Sequence, residues 1–261
     1  MRRAAALLVL ASILPAATTM AATQDDGYAA LPGGTFRSVL AYEDAKDGVR
    51  VAPFELMRTP VTNAQFLAFV ETHPQWRRDR VSGVLAEERY LSHWQDATHL
   101  GPVALPDQPV VWVSWFAASA YCESQGARLP RWSEWEYAAA ADETRRDARA
   151  DPAWRDRILA WYSHPSNEAL ARVGQQPPDV WGVRDLHGLV WEWTDDYSSL
   201  LVSADNRDQG DADKAKFCGA GALSMKDREN YAVLMRVAML SALGGADATA
   251  NLGFRCARNA R

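Results

Sequence analysis

The residues of this chain that can take part in the most kinds of chemistry are its three cysteines, Cys122, Cys218 and Cys256. Cysteine thiolates act as nucleophiles, bind soft metal ions and form disulfides. In an oxidising compartment, three cysteines predict one disulfide and one remaining thiol, and the residues alone permit three pairings. Residues 219–255, between the last two cysteines, contain no other cysteine. The segment 216–256 therefore carries a reactive thiol, another chemistry or only a packed core.

Two further residues have types and neighbours that suggest chemistry. Glu192 stands between Trp191 and Trp193, where burial without a partner would be costly, so we expect it to bond backbone amides, an arginine or a metal ion. His187 can act as an acid, a base or a ligand near neutral pH. A single histidine is more often a structural group, so both interpretations stay open.

The elements that must position these residues begin at clear capping signals. Thr62 and Gln65 have the spacing of a capping box, which predicts a helix that starts beside them. Ser114 predicts the cap of a second helix, and Ser133 predicts the cap of a third, with Glu136 completing a capping box. The apolar run at 109–113 predicts a short buried strand.

The first 22 residues are typical of a secretory signal. Arg2 and Arg3 precede the apolar run 4–14, which is too short to span a bilayer as a mature helix. No later window reaches the ~18 apolar residues of a membrane span. We therefore expect residues 1–22 to be removed and the mature chain to be a periplasmic protein with no membrane span.

Charge argues against one class of partner. The formal net charge of −5 becomes −7 without the first 22 residues, which hold two arginines and no acidic residue. A mildly acidic chain that lacks a basic patch does not suit nucleic acid. The length of 261 residues suits one large domain or two small ones.

Several short runs, in order along the chain, resemble the formylglycine-generating-enzyme (sulfatase-modifying factor) family. Any one run is weak, but the ordered set covers nearly all of the mature chain. The resemblance implies one domain over residues 23–261, of the α+β class and the C-type-lectin-like kind, with little regular secondary structure and long packed loops. The runs are LPGGTF at 31–36, PVTNAQF at 60–66, PVVWVSW at 109–115, AYC at 120–122, RLP at 128–130, EWEYA at 134–138, WGVRD at 181–185, Gly188, VWEWT at 190–194 and NLGFRC at 251–256.

The resemblance also implies a particular use of cysteine. Active members of the family oxidise a substrate cysteine to formylglycine with oxygen and a copper ion held by two cysteines. Counting back from the NLGFRC ending places those positions at Asp227 and Ala232, which cannot supply soft ligands. The family's structural disulfide maps to Cys122 and Cys256. Cys218 is then left to bind copper, to form a mixed disulfide with a client or to act as a small buried hydrophobe.

Family pocket positions map to residues with polar side chains. The resemblance places Ser224, Asp227, Arg236 and Asn251 in a pocket, where Arg236 and Asp227 form either a polar cleft floor or a simple ion pair. Tyr231 can stack on a ligand, although core packing is the more common role of tyrosine. These residues and Cys218 are the catalytic candidates.

Calcium is a weaker expectation. One family site uses an asparagine together with a glutamate. Here Leu189 replaces the asparagine while Glu192 remains, and hard cations need several oxygen ligands. Glu192 is therefore only a weak calcium candidate.

The first functional hypothesis is a periplasmic maturation or accessory protein, an oxidase-like enzyme for a peptide or a tyrosine-derived siderophore precursor, as in cysteine-poor members of the family. Copper or iron would be its cofactor, and its partner would be a peptide, a siderophore precursor or a periplasmic protein client. The alternative is a non-catalytic peptide- or protein-binding module on the same fold. Formylglycine generation on sulfatases is the hypothesis that the residues favour least.

Overall fold

The computed structural model describes residues 27–39, 48–162, 169–199 and 231–260, and for residues 231–234 it describes the backbone alone. Four of the predicted features lie outside the described residues: the signal segment 1–22, Cys218, Ser224 and Asp227.

Short helices and very short strands alternate with long loops, which is the α+β fold with little regular secondary structure predicted from the sequence. The described helices are α1 (Asn63–Thr72), α2 (Trp115–Ser124), α3 (Trp132–Ala139), α4 (Pro152–Tyr162) and α5 (Tyr231–Ser241), with 3₁₀ turns at Pro74–Trp76 and Tyr197–Ser199. The strands are β1 (Tyr28–Leu31), β2 (Gly34–Phe36), β3 (Val49–Val51), β4 (Phe54–Met57), β5 (Trp191–Glu192), β6 (Leu252–Gly253) and β7 (Ala257–Asn259). In the described parts of the chain, no helix has the length and apolar character of a membrane span.

The largest sheet joins the two ends of the described chain. Strand β4 lies in its centre and pairs antiparallel with β1 on one side and β7 on the other. In this register Leu56 lies opposite Ala29 of β1 and Ala257 of β7, and all three side chains are buried. Strands β2 and β3 form an antiparallel pair, and β5 and β6 form a parallel pair. The C-terminal residues are therefore an integral part of the core.

Aromatic side chains fill much of that core. Trp132, Trp135 and Trp193 are among the largest fully buried side chains. Phe66 of α1 stacks on Tyr121 of α2, with ring centroids 5.8 Å apart. Such rings bury large apolar areas, so the contacts between α1, α2 and the tryptophans contribute strongly to stability.

Two of the predicted helix starts are confirmed. The Thr62 hydroxyl accepts from the Gln65 amide at 3.2 Å, and the Gln65 side chain accepts from the Thr62 amide at 2.8 Å. Both halves of the capping box are thus present. The Ser114 hydroxyl accepts from the Ala117 amide at 3.2 Å and caps α2.

The predicted cap at Ser133 was wrong by two residues. Helix α3 is capped at Arg131, and the Glu134 carboxylate accepts from the Arg131 amide at 2.8 Å.

The predicted strand at 109–113 was also wrong. Only Pro109 forms a bridge there, and Trp112 has a φ of 54°, which breaks the extended conformation. The run is nevertheless buried, because its valines pack in the core.

A disulfide ties α2 to the residue before β7. It links Cys122 to Cys256, whose Cα atoms are 5.5 Å apart, and it is the pairing that the family resemblance implies. The Cys256 carbonyl also accepts from the Met57 amide at 2.9 Å. The bond therefore holds the C-terminal segment against both α2 and β4.

We expect Cys122→Ser combined with Cys256→Ser to lower the free energy of unfolding by about 2–5 kcal/mol, because the bond closes a long loop in the unfolded chain. Urea unfolding of the two forms, followed by tryptophan fluorescence, measures the difference. Wild-type protein should show the same loss when reductant is added. Cys218→Ser is the control, and it should keep both the stability and the sensitivity to reductant. A wild type indifferent to reductant would contradict the expectation.

Candidate functional site

The candidate site is built around the short parallel pair of β5 and β6. Trp191 lies opposite Leu252, and Glu192 lies opposite Gly253. A side chain at Gly253 would place its Cβ 2.5 Å from the Val110 carbonyl oxygen, so only glycine allows this close approach. The pairing brings Glu192 beside the chain that follows β6.

The Glu192 carboxylate is completely buried and fully engaged. It accepts from Arg255 Nε at 2.9 Å and from Arg255 Nη2 at 2.8 Å. It also accepts from Trp135 Nε1 at 2.9 Å. Both members of the ion pair have no exposed side-chain surface. Removing either charge would leave the other one buried without compensation, which is strongly unfavourable.

Arg255 uses its remaining N–H groups on backbone carbonyls. Nη1 donates to Met57 O at 3.0 Å and Arg58 O at 3.3 Å, and Nη2 donates to Arg184 O at 2.9 Å. With the bonds to Glu192, the guanidinium contacts three separate stretches of chain. It thus fixes the end of β4, the loop before β5 and β5 itself in one arrangement.

A second buried guanidinium approaches from α5. Arg236 Nη2 donates to the Glu192 carbonyl oxygen at 2.7 Å, and the Arg236 Cζ lies 3.5 Å from the centroid of the Trp135 ring. Burial lowers the pKa of Arg236 to about 10, although the Glu192 charge acts in the opposite direction. Its Nε is buried with no hydrogen-bond partner among the described residues. Arg255 thus bonds the carboxylate of Glu192, and Arg236 bonds the backbone carbonyl of the same residue.

Asn251 approaches β5 from the other side. Its carbonyl oxygen accepts from the Trp191 amide at 2.8 Å, and its side-chain oxygen accepts from the Thr249 hydroxyl at 3.1 Å. The Trp191 ring packs against Tyr162 and Trp161 at the end of α4, with centroids 5.0 Å and 5.8 Å away. The structure therefore brings Arg236 and Asn251 to neighbouring residues of one strand.

Other residues of the arrangement were not predicted from the sequence. Trp135, Trp161 and Tyr162 complete the surroundings of β5, but they come from helices whose sequences carry no signal of a site. Tyr231 begins α5, and its side chain lies outside the described atoms. His187 is not part of the Glu192 arrangement, although its ring lies edge-on to Trp135 at 5.7 Å.

The carboxylate of Glu192, the calcium candidate, is already hydrogen-bonded to protein groups where a cation would have to bind. Its oxygens face Arg255 and Trp135, and a calcium ion needs several further oxygen ligands. Within the described residues, no group of three or more His, Cys, Asp or Glu side chains could hold a metal ion. In this structure the carboxylate serves the ion pair.

The copper centre of the family does not fit the donor set of this chain. A site with two thiolates needs two free cysteines, and the chain has three in total. The disulfide takes Cys122 and Cys256. Cys218 is then the one thiol left, so a single chain cannot supply the pair.

The chain resembles known proteins in sequence and in structure. Residues 15–260 match the sulfatase-modifying factor enzyme 1-like domain. A formylglycine-generating enzyme from Streptomyces coelicolor is 30% identical over 284 residues, which cover 90% of each protein. A hercynine oxygenase from Mycobacterium tuberculosis is 33% identical over 162 residues, which cover 56% of this chain and 38% of the relative. The structure of PvdO from Pseudomonas aeruginosa covers 89% of this chain, at 19% identity and a TM-score of 0.48.

We expect Glu192→Gln to lower the free energy of unfolding by about 3–5 kcal/mol, because the Arg255 charge would remain buried without its counter-ion. Asp107→Asn is the matched control. It breaks the exposed pair between Asp107 and Arg172, whose atoms lie 2.8 Å apart, and it should cost less than about 1 kcal/mol. Urea unfolding of both variants at one pH measures the difference. Equal losses of unfolding free energy in the two variants would show that the buried pair contributes no more to stability than the exposed pair.

Proposed function

The chain belongs to the sulfatase-modifying factor enzyme 1-like family, and we propose that it is a periplasmic maturation or accessory protein. In this proposal it oxidises a peptide or a tyrosine-derived siderophore precursor, and it does so without a copper-binding cysteine pair. Formylglycine generation on sulfatases is excluded from the proposal.

The observation that carries the proposal is that two of the three cysteines form a disulfide and only one is left. Two of them close the structural disulfide between α2 and the C-terminal segment. The thiol chemistry of formylglycine formation requires a reactive pair, and the chain has one cysteine left for it. The rest of the fold is retained around β5 and β6. A family member that keeps the scaffold and lacks the reactive pair is expected to serve another reaction or another client.

The disulfide also supports an oxidising location. Structural disulfides persist in secreted and periplasmic proteins and are rare in the reducing cytosol. The charged start and apolar run within residues 1–22 are consistent with export by a secretory signal. Together they favour the periplasm as the place of action.

Oxidation is supported at the level of the family. The relatives include a hercynine oxygenase, so one similar protein is named for an oxygen-dependent reaction other than formylglycine formation. For this chain, copper or iron would have to be bound without a cysteine pair.

The second candidate is a non-catalytic binding module, and one feature of the structure favours it. Tyr162 and Trp161 pack on the Trp191 ring, and Arg236 beside β5 is buried against the Trp135 ring. A closed arrangement of this kind suits recognition through the surrounding loops as well as it suits catalysis.

Purified mature protein distinguishes the two candidates. We expect about one equivalent of copper or iron by elemental analysis, and oxygen uptake when a tyrosyl peptide is added. A cysteine-containing sulfatase peptide should give no formylglycine by mass spectrometry. Cys218→Ser should keep the oxygen uptake, because the proposed oxidation does not use that thiol.

Three results would overturn the proposal. Formylglycine in the sulfatase peptide would restore the family's known reaction. Metal-free protein that binds the tyrosyl peptide without changing it would establish the binding module. Loss of oxygen uptake in Cys218→Ser with unchanged metal content would make the thiol part of the reaction.

A further inference from the structure

A cavity is formed by α4, the end of α3 and residues 176–188. Its volume is about 320 Å³, which is within the range of small-molecule sites. Trp154, Ile158 and Trp161 line it from α4, and their spacing of four and three positions places them on one face of the helix. Neither Glu192 nor the residues hydrogen-bonded to it line this cavity. The cavity is therefore distinct from the arrangement around β5.

Three carboxylates of the lining are already bonded within the protein. The oxygens of Asp142 accept from the Arg145 guanidinium and from backbone amides. Asp179 and Asp185 also accept from backbone amides. Burial raises the pKa of both aspartates, whereas these amides and the charge of Arg255 act in the opposite direction. None of the three needs a cation from a ligand.

The other ionisable groups of the lining are also compensated or neutral. Glu143 lies 3.7 Å from Arg157 in an exposed pair. His187 Nε2 donates to the Ala139 carbonyl oxygen at 2.8 Å, and burial lowers the pKa of the ring to about 4, so it is neutral at physiological pH. Its Nδ1 and the Oδ2 of Asp179 each expose less than 1 Å² and do not face the cavity. The described lining thus offers a ligand no uncompensated charge.

The two tryptophans of the lining are held by other aromatic rings. Trp154 lies edge-on to His187, with ring centroids 5.6 Å apart, and the Trp161 ring lies 5.8 Å from that of Trp191. Rings that are fixed in this way lose little freedom when a ligand binds. Aromatic rings also attract one another in edge-on and offset arrangements. The lining therefore favours an aromatic ring over a saturated one.

We propose that this cavity binds a small uncharged aromatic molecule, whose ring packs against Trp154, Ile158 and Trp161. A cation would lose its hydration without gaining a free carboxylate. An anion would lie beside the four carboxylates of the lining, which repel it. The proposal is independent of the oxidation proposed above, because the ligand is bound and is not changed.

Four probes with the same three-carbon chain test this proposal in ligand-observed NMR titrations of the mature protein at pH 7. They are 3-phenylpropanamide, 3-phenylpropanoate, 3-phenylpropylamine and 3-cyclohexylpropanamide. The phenyl amide should bind saturably at one site. The anion and the cation should each bind at least about tenfold more weakly, because burial of an unpaired charge is costly. The cyclohexyl amide should bind roughly two- to tenfold more weakly, because it lacks an aromatic ring.

Variants locate the binding. Ala160→Phe narrows the cavity from an exposed position on α4 and should abolish binding of the phenyl amide. Ala153→Phe is the matched control, because Ala153 is exposed on the same helix and does not line the cavity. It should change the affinity by less than about twofold. Trp161→Leu removes one ring of the lining, and it should reduce the preference for the phenyl over the cyclohexyl amide to below about twofold. Circular dichroism checks that each variant is folded.

The proposal fails if the phenyl amide does not bind the wild type, or if either charged probe binds equally well. It also fails if folded Ala160→Phe protein retains full affinity, or if Ala153→Phe weakens binding as much as Ala160→Phe does. An unchanged phenyl preference in folded Trp161→Leu protein would contradict the role given to that ring. None of these readouts uses oxygen uptake, so failure here and failure of the proposed oxidation are distinguishable.

Discussion

The buried ion pair between Glu192 and Arg255 is the interaction on which the rest of the structure depends. Two charges without any exposed surface are stable together when their own donors and acceptors are hydrogen-bonded. Arg255 meets that condition by donating to carbonyls at the end of β4 and in the loop before β5. Trp135 meets it from α3. Because the Glu192 carboxylate must be neutralised, segments that are far apart in the sequence are fixed in one arrangement.

The same constraint shapes the candidate site. Because Glu192 is committed to Arg255, it offers only its backbone carbonyl to Arg236, and the positive charge of Arg236 is left to the Trp135 ring. The same Trp135 ring contacts His187 edge-on, with ring centroids 5.7 Å apart. Trp135 therefore contacts Glu192, Arg236 and His187, and it connects α3 to β5 and α5.

Features that depend on neighbouring residues could be predicted from the sequence, whereas contacts between distant residues could not. The capping box at Thr62 and the cap at Ser114 depend on residues three apart, so the pattern alone predicts them. At Ser133 the same rule failed, because Glu134 reaches back to Arg131 and moves the start of α3. The run at 109–113 has strand-like residues, but it packs as buried irregular chain rather than in a ladder. Its burial was predictable, and its lack of a sheet partner was not.

The residues of the site also divide into those that were predicted from the sequence and those that were not. Arg236 and Asn251 were placed by resemblance to a family motif. Trp161 and Tyr162 follow residues 142–157, a stretch dense in Asp and Arg that is typical of a solvated surface. Their contact with Trp191 exists only because α4 folds back across β5.

The central position of β4 has a consequence for the order of folding. Its two neighbours, β1 and β7, come from opposite ends of the described chain, and Cys256 lies immediately before β7. The sheet cannot be completed, nor the disulfide closed, until Cys256 and β7 have been synthesised. Contacts between such distant residues make folding slow and leave partly folded chains exposed. The pairing of β1 with β4 can form early, whereas the third strand and the disulfide must wait for the segment that holds Cys256 and β7.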